Sequence, residues 1–327
     1  LSQNILSTMI ASAGYKQTNN GSKRAGFVNL SYSGFYPIIT AEMQQGYESF
    51  NQKIDSTDVT ANYQLKEGNI TIEVPFNFSS RAYYRNISIA ASSIYNDYTL
   101  ESVDPEIYTT NFRNTLQRGT ALYYLQFTNQ RMSAYRDIAP RFAQAFILGY
   151  KEPMFRNTHY YSQSLFSELH LYLPGILHNH SLQIYTGYEL NLEDVNEPNV
   201  AFYKNTIQVP RGINNSFSTF KHAYTIKTGY AFPLLYPDIS LGPVLYLKRI
   251  RLEAFADASV LSKNNDIQWI NTASNNATHT IMSSSGFSLT GDMHIFRTIP
   301  ECAIGIQYAH IHQSGNNDFK FLLNFKI

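Results

Sequence analysis

The chain has 327 residues, a formal charge of +1 at pH 7, 15% charged residues and 14% aromatics, among them 25 Tyr and 21 Phe. An ordinary soluble domain carries about 25% charged residues, so much of this surface must face something other than water. The near-neutral balance gives no support for nucleic-acid binding, and no run approaches the roughly 18 apolar residues of a spanning helix.

Fourteen strands are predicted in chain order, near residues 4–15, 24–34, 36–49, 62–78, 82–98, 118–135, 141–152, 160–173, 179–190, 220–233, 242–260, 278–296, 300–312 and 316–327. The fourth shows the pattern most clearly. Ile70, Ile72, Val74, Phe76 and Phe78 share one face, while Thr71, Glu73, Pro75 and Asn77 share the other, which is strict period-two alternation. Pro75 cannot donate to a ladder and marks a local irregularity. The last strand repeats the pattern: Phe319, Phe321, Leu323, Phe325 and Ile327 against Asp318, Lys320, Asn324 and Lys326.

Several links are short and turn-like, at 33–37, 174–180 and 313–317; others are long and polar, at 51–59, 101–115, 191–219 and 263–276. Short turns at one end and long loops at the other fit a transmembrane barrel, whose apolar face meets lipid and whose polar face meets the lumen. A soluble β-sandwich also alternates, but it does not explain the low charge, the aromatic load and the strand lengths. The expected fold is all-β: an antiparallel transmembrane β-barrel of about 14–16 strands, one domain over residues 1–327. Such a barrel is exported, and the chain opens on Leu1 with no signal peptide, so it reads as the C-terminal part of a longer precursor.

The longest loop holds Val209, Pro210, Arg211, Gly212 and Ile213, and five predicted strands follow it. This resembles the bacterial surface-antigen superfamily of outer-membrane assembly and two-partner secretion barrels, which carry a Val-Arg-Gly-Phe/Tyr motif in a long loop ahead of five strands. The segment 241–260 resembles that family's Phe-x-Asp-x-Gly strand. The Tyr-Pro-Asp segment at 236–238, ahead of the strand that begins Leu-Tyr-Leu-Lys-Arg-Ile-Arg at 245–251, is similar to Bacteroidota-type surface barrels, which often follow a β-propeller. The resemblance is best from Val209 onward.

It implies a loop folded into the lumen, with Arg211 held by Asp257 on the wall. Alternation places Arg249, Arg251, Glu253, Asp257 and Ser259 on one face, and Ile250, Leu252, Ala254 and Ala256 on the other. The charged face belongs to the lumen, because charge facing lipid at mid-depth costs several kcal/mol. The chain departs from the family at Pro210, at Ile213 in place of an aromatic, and at Gly229, where a second wall acid is expected. Its final residue is Ile327, and fourteen strands against the family's sixteen suggest two more upstream.

Other candidates carry less. His178 and His180, and His310 and His312, have the i, i+2 spacing of a metal pair but no obvious third ligand. Ser167, Glu168 and His170 lie close in sequence, yet Ser167 and His170 point to opposite strand faces. Arg249 and Arg251 could bind an anion, but pairing with Glu253 and Asp257 is the simpler expectation. Cys302 is alone, so no internal disulfide is possible. No cofactor, metal site or catalytic residue is expected. The implied function is protein insertion or translocation in the bacterial outer membrane, or anchoring of an upstream domain. The alternative is a porin-like or structural barrel. Expected partners are outer-membrane lipids and client proteins or an outer-membrane complex.

Overall fold

The computed structural model describes residues 2–3, 8–17, 22–34, 36–54, 57–112, 114–132, 137–155, 160–177, 179–193, 200–201, 205–213, 220–242, 244–263, 279–295 and 301–325. His178, Ile327 and nearly all of the predicted loop 263–276 lie outside them. The strands are β1 (Ser2–Gln3), β2 (Met9–Gln17), β3 (Lys23–Tyr32), β4 (Ile38–Ile54), β5 (Thr57–Asn77), β6 (Tyr83–Asp104), β7 (Thr115–Arg131), β8 (Ala143–Pro153), β9 (Tyr160–Tyr161) and β10 (Ser164–Pro174). They continue as β11 (Ser181–Asn191), β12 (Val200–Ala201), β13 (His222–Leu235), β14 (Ile239–Leu241), β15 (Leu245–Ser262), β16 (His279–Ile295), β17 (Cys302–Ile311) and β18 (Asn317–Phe325). One 3-10 turn, Glu106–Asn111, follows β6.

All but β9, β12 and β14 form one antiparallel path in chain order, the wall of a transmembrane barrel. All fourteen predicted strands are present, and β1 adds a fifteenth by pairing Ser2 with Ala11. β14 pairs with β15, and β9 with β12 forms a small parallel bridge between two loops. No ladder joins β1 or β2 to β18 among the described residues.

The side chains sort as lipid and lumen require. Ile70, Ile72, Phe319, Phe321 and Leu323 are exposed on the outer face, whereas Ser88, Glu189, Asp257, Ser284 and Asp292 are buried on the inner one. Pro75 lies beyond the last β4–β5 pair, Ile38 with Glu73, and its carbonyl accepts from Tyr36 Oη on that open side. The edge there has no neighbour strand to which a proline nitrogen fails to donate.

Two expectations about connections need correction. Residues 51–59 are not a long loop: β4 runs to Ile54 and β5 starts at Thr57. These strands project, and their apolar face switches sides. Val59, Ala61, Tyr63 and Leu65 are buried inside with Tyr98 and Val103, and Leu100, Tyr108, Phe112 and Leu116 pack on them. A polar outer face over an apolar core is what a sheet standing in water needs. The link at 313–317 is short, but strand alternation places it at the same end as the long loops.

Candidate functional site

Between β11 and β13, residues 205–213 lie inside the lumen, and local chemistry shapes their turn. Ile213 N donates to Pro210 O at 3.3 Å, and Gly212 has φ +86. That is the left-handed third position that a type II turn requires. A Cβ on Gly212 would also lie 2.8 Å from Ala309 Cβ on the wall. Glycine is therefore demanded twice, and Arg211 is left at the turn corner, aimed at β15.

Arg211 is clamped there. Its Nε donates to Asp257 Oδ2 and its Nη2 to Asp257 Oδ1, both at 2.9 Å. Nη1 donates to Glu253 Oε1 at 2.5 Å, and Nη2 also reaches Thr228 O at 3.0 Å. The backbone N of Arg211 donates to Asp257 Oδ2 as well, at 2.9 Å. The guanidinium lies 3.9 Å over the Phe255 ring, a cation–π contact that lysine would make less well. Burial works against its charge, but the hydrogen bonds and charge of Asp257, then Glu253, outweigh it and raise the pKa above the ordinary guanidinium value.

Gly229, where the resemblance implies a second wall acid, lies against Glu253 of the next strand. A Cβ on Gly229 would lie 2.4 Å from Glu253 Oε1. Gly229 thus leaves room for the Glu253 carboxylate from the next strand.

Further contacts fasten the loop. Glu189, fully buried, accepts from Thr206 N at 2.7 Å, Thr206 Oγ1 at 3.1 Å and Ser164 Oγ at 3.2 Å. Gln208 N donates to Tyr185 Oη at 2.8 Å, and Lys227 Nζ to Gln208 Oε1 at 2.9 Å. Val209 packs on Ile207, Phe220 and Ala223, and Pro210 is fully buried. Sequence reasoning missed Glu189, Tyr185, Lys227 and Phe255. Alternation signals Tyr185 and Glu189, odd-numbered residues opposite the apolar Leu182, Ile184 and Leu190, whereas Phe255 is an apolar side chain on the charged face of β15 and breaks the polarity pattern.

Arg249 and Arg251 do not pair with Glu253 and Asp257. Arg249 Nε pairs with Asp292, and Arg251 Nε lies 3.3 Å from Asp292 Oδ1. For Arg249 the reason is register: it sits directly opposite Asp292 on β16, whereas Glu253, four residues along its own strand, is about 13 Å away. A register shift between Leu247 and Arg249 buries Lys248 as well, and its Nζ reaches Glu301 at 3.1 Å. Two carboxylates, Asp292 and Glu301, thus serve the three cations Lys248, Arg249 and Arg251.

The barrel is similar in fold to CdiB. It superposes on CdiB from Escherichia coli with a TM-score of 0.54, at 8% identity, over 99% of this chain and 56% of that one. For CdiB from Acinetobacter baumannii the TM-score is 0.51, at 12% identity, over 92% and 50%. The chain thus spans about half the length of these CdiB structures. BamA from Haemophilus ducreyi lacking POTRA domains 1-3 gives 0.49, at 11% identity, over 97% and 69%. No family model and no curated protein sequence matches the chain.

The remaining candidates separate. His180 Nδ1 lies 2.9 Å from Tyr230 Oη; His310 and His312 bond Asn317 and Ser285. No group of three potential metal ligands occurs among the described residues. His170 lies 3.6 Å from Glu168 on the luminal side, where it lines a cavity of about 230 Å³ with Tyr185, Arg211, Lys227 and Glu253. Ser167 faces lipid beside Leu169 and Ile226, so no Ser-His pair forms.

Proposed function

We propose that the chain is a surface-antigen-type outer-membrane barrel that works in protein insertion or translocation, or holds an upstream soluble domain at the membrane. One observation carries the reading. An in-turned loop is fastened through Arg211 to a wall carboxylate, and five wall strands follow it, β13, β15, β16, β17 and β18. That combination fits the family's loop motif, and the CdiB-like fold supports it. A Bacteroidota-type origin and a preceding propeller belong to the same proposal.

No covalent chemistry is involved. β18 pairs with β17 on one edge and has no ladder partner on the other among the described residues. Such an edge presents a row of N–H and C=O groups on which a client strand can form. The partners are then outer-membrane lipids, unfolded clients or an outer-membrane complex. The test presents a urea-unfolded outer-membrane barrel protein to lipid vesicles with and without the reconstituted protein, and follows folding by heat-modifiable gel mobility. Faster folding supports insertion. No acceleration together with a large steady conductance favours a porin, and neither effect favours an anchor.

A further inference from the structure

The loop carrying Arg211 enters the lumen from the long-loop mouth. We propose that the opposite mouth has its own closure: residues 137–142, which lead into β8, fold inward and are latched to β15 by Arg249. The proposal rests on the barrel fold and is independent of the insertion or translocation reading.

Strand alternation puts residues 137–142 at the end of the short turns, with the described residues of 33–37, 78–82, 175–180 and 236–244. Those turns face solvent; Ile176, for example, is 91% exposed. In the β7–β8 connection Asp137 is 9% and Ile138 7% exposed. Among the described residues, no other connection at that end buries side chains at its tip.

The anchor lies far along the wall. β10, β11 and β13 stand between β8 and β15, so the two are about 19 Å apart around the sheet at 4.8 Å per step. Yet Arg249 Nη1 donates to Asp137 O at 2.7 Å. The turn therefore leaves the wall and crosses part of the lumen to make that contact. Arg141 Nε, 3.2 Å from Asp137 Oδ1, stiffens it from within.

Arg249 is 1% exposed, and a charge so buried must be paired and hydrogen-bonded. Asp292 supplies the pair, with Glu301 Oε1 at 3.9 Å from Nη2, and the turn's carbonyl supplies a further acceptor. The wall cation thus gives the turn a reason to be inside. Arg249 and Asp257 lie on the same strand, eight residues and about 26 Å apart. β15 holds both closures, one at each level, so the lumen is constricted twice in series.

Series constriction predicts non-additive conductance. The full-length protein is compared in planar bilayers with a deletion of residues 205–216, with an exchange of residues 137–140 for two glycines, and with both changes together. Arg249→Gln is measured beside the turn exchange. The exchange leaves every wall charge in place, so it stands in if Arg249→Gln fails to fold; heat-modifiable mobility reports folding. The expected result is low conductance for each single change and a several-fold rise for the combination. Loop deletion alone reaching the conductance of the combination would show that the turn closes nothing. Full opening by the turn exchange alone would equally overturn closure in series.

Discussion

Replacing Arg211 by alanine removes four side-chain hydrogen bonds and leaves the Asp257 carboxylate, 0% exposed in its side chain, with only the backbone N of residue 211 from the original clamp. Breaking a buried pair from one side costs about 3–5 kcal/mol, because the surviving charge stays desolvated. Two features argue for the lower end. The Arg211 side chain is 20% exposed, and Lys227 sits directly across from Asp257 in the β13–β15 register. A loss of about 3 kcal/mol raises the open population of the loop roughly 150-fold. Glu253 is 22% exposed, so Glu253→Ala should cost only about 1 kcal/mol or less.

Cleavage by a protease without sequence preference reads this directly, since it tracks the open population when reclosing outpaces cutting. Arg211→Ala and Asp257→Ala should each expose residues 205–213 to rapid cutting. The double variant should be no worse than the worse single, because no lone buried charge remains. Arg211→Lys should rescue only in part, having one prong and no flat surface for Phe255. Equal loosening by Arg211→Ala and Glu253→Ala, or a double variant that multiplies the two single effects, would refute the clamp.

Gly212→Ala should loosen the same loop by about 1–2 kcal/mol, since φ is +86 and Ala309 is in the way; the protease assay checks it. Glu189→Gln should weaken the loop base by about 1.5–3 kcal/mol through loss of charge-assisted bonds, read as faster amide exchange at Thr206. Cysteines at positions 321 and 320 should differ, with 321 labelled more strongly by a lipid-soluble probe; equal labelling would contradict the lipid and lumen faces. Leu65→Asn should speed exchange across residues 57–66 and 98–104 while barrel mobility on gels stays heat-modifiable.

The strands and the Arg211–Asp257 contact were both legible, for different reasons. Alternation is clear in β5, β11 and β18 because the two sides of the sheet impose opposite demands on adjacent residues. Arg211 and Asp257 were both reached through a family resemblance, and alternation separately put Asp257 on the charged face of its strand. The partners of Arg249 were not legible. They depend on register against β16, and nothing in one strand's sequence says which residue of its neighbour lies opposite. Glu253 was assigned to the correct face, but its use over Gly229 depends on the space left when a side chain is absent from the next strand.

The error at residues 51–59 has a physical lesson. The stretch was read as loop because it is long and polar. In β5 the period never breaks. Ile70, Ile72, Val74 and Phe76 carry the apolar face on even positions; Val59, Ala61, Tyr63 and Leu65 carry it on odd ones. An apolar outer face means lipid outside, and an apolar inner face means water outside. The change of parity therefore marks where the strand leaves one solvent for the other, close to Lys66 and Gly68. Period alone identifies the strand, and parity identifies what surrounds it. A strand whose parity reverses without losing its period is one element crossing a boundary, and its polar half belongs to the sheet.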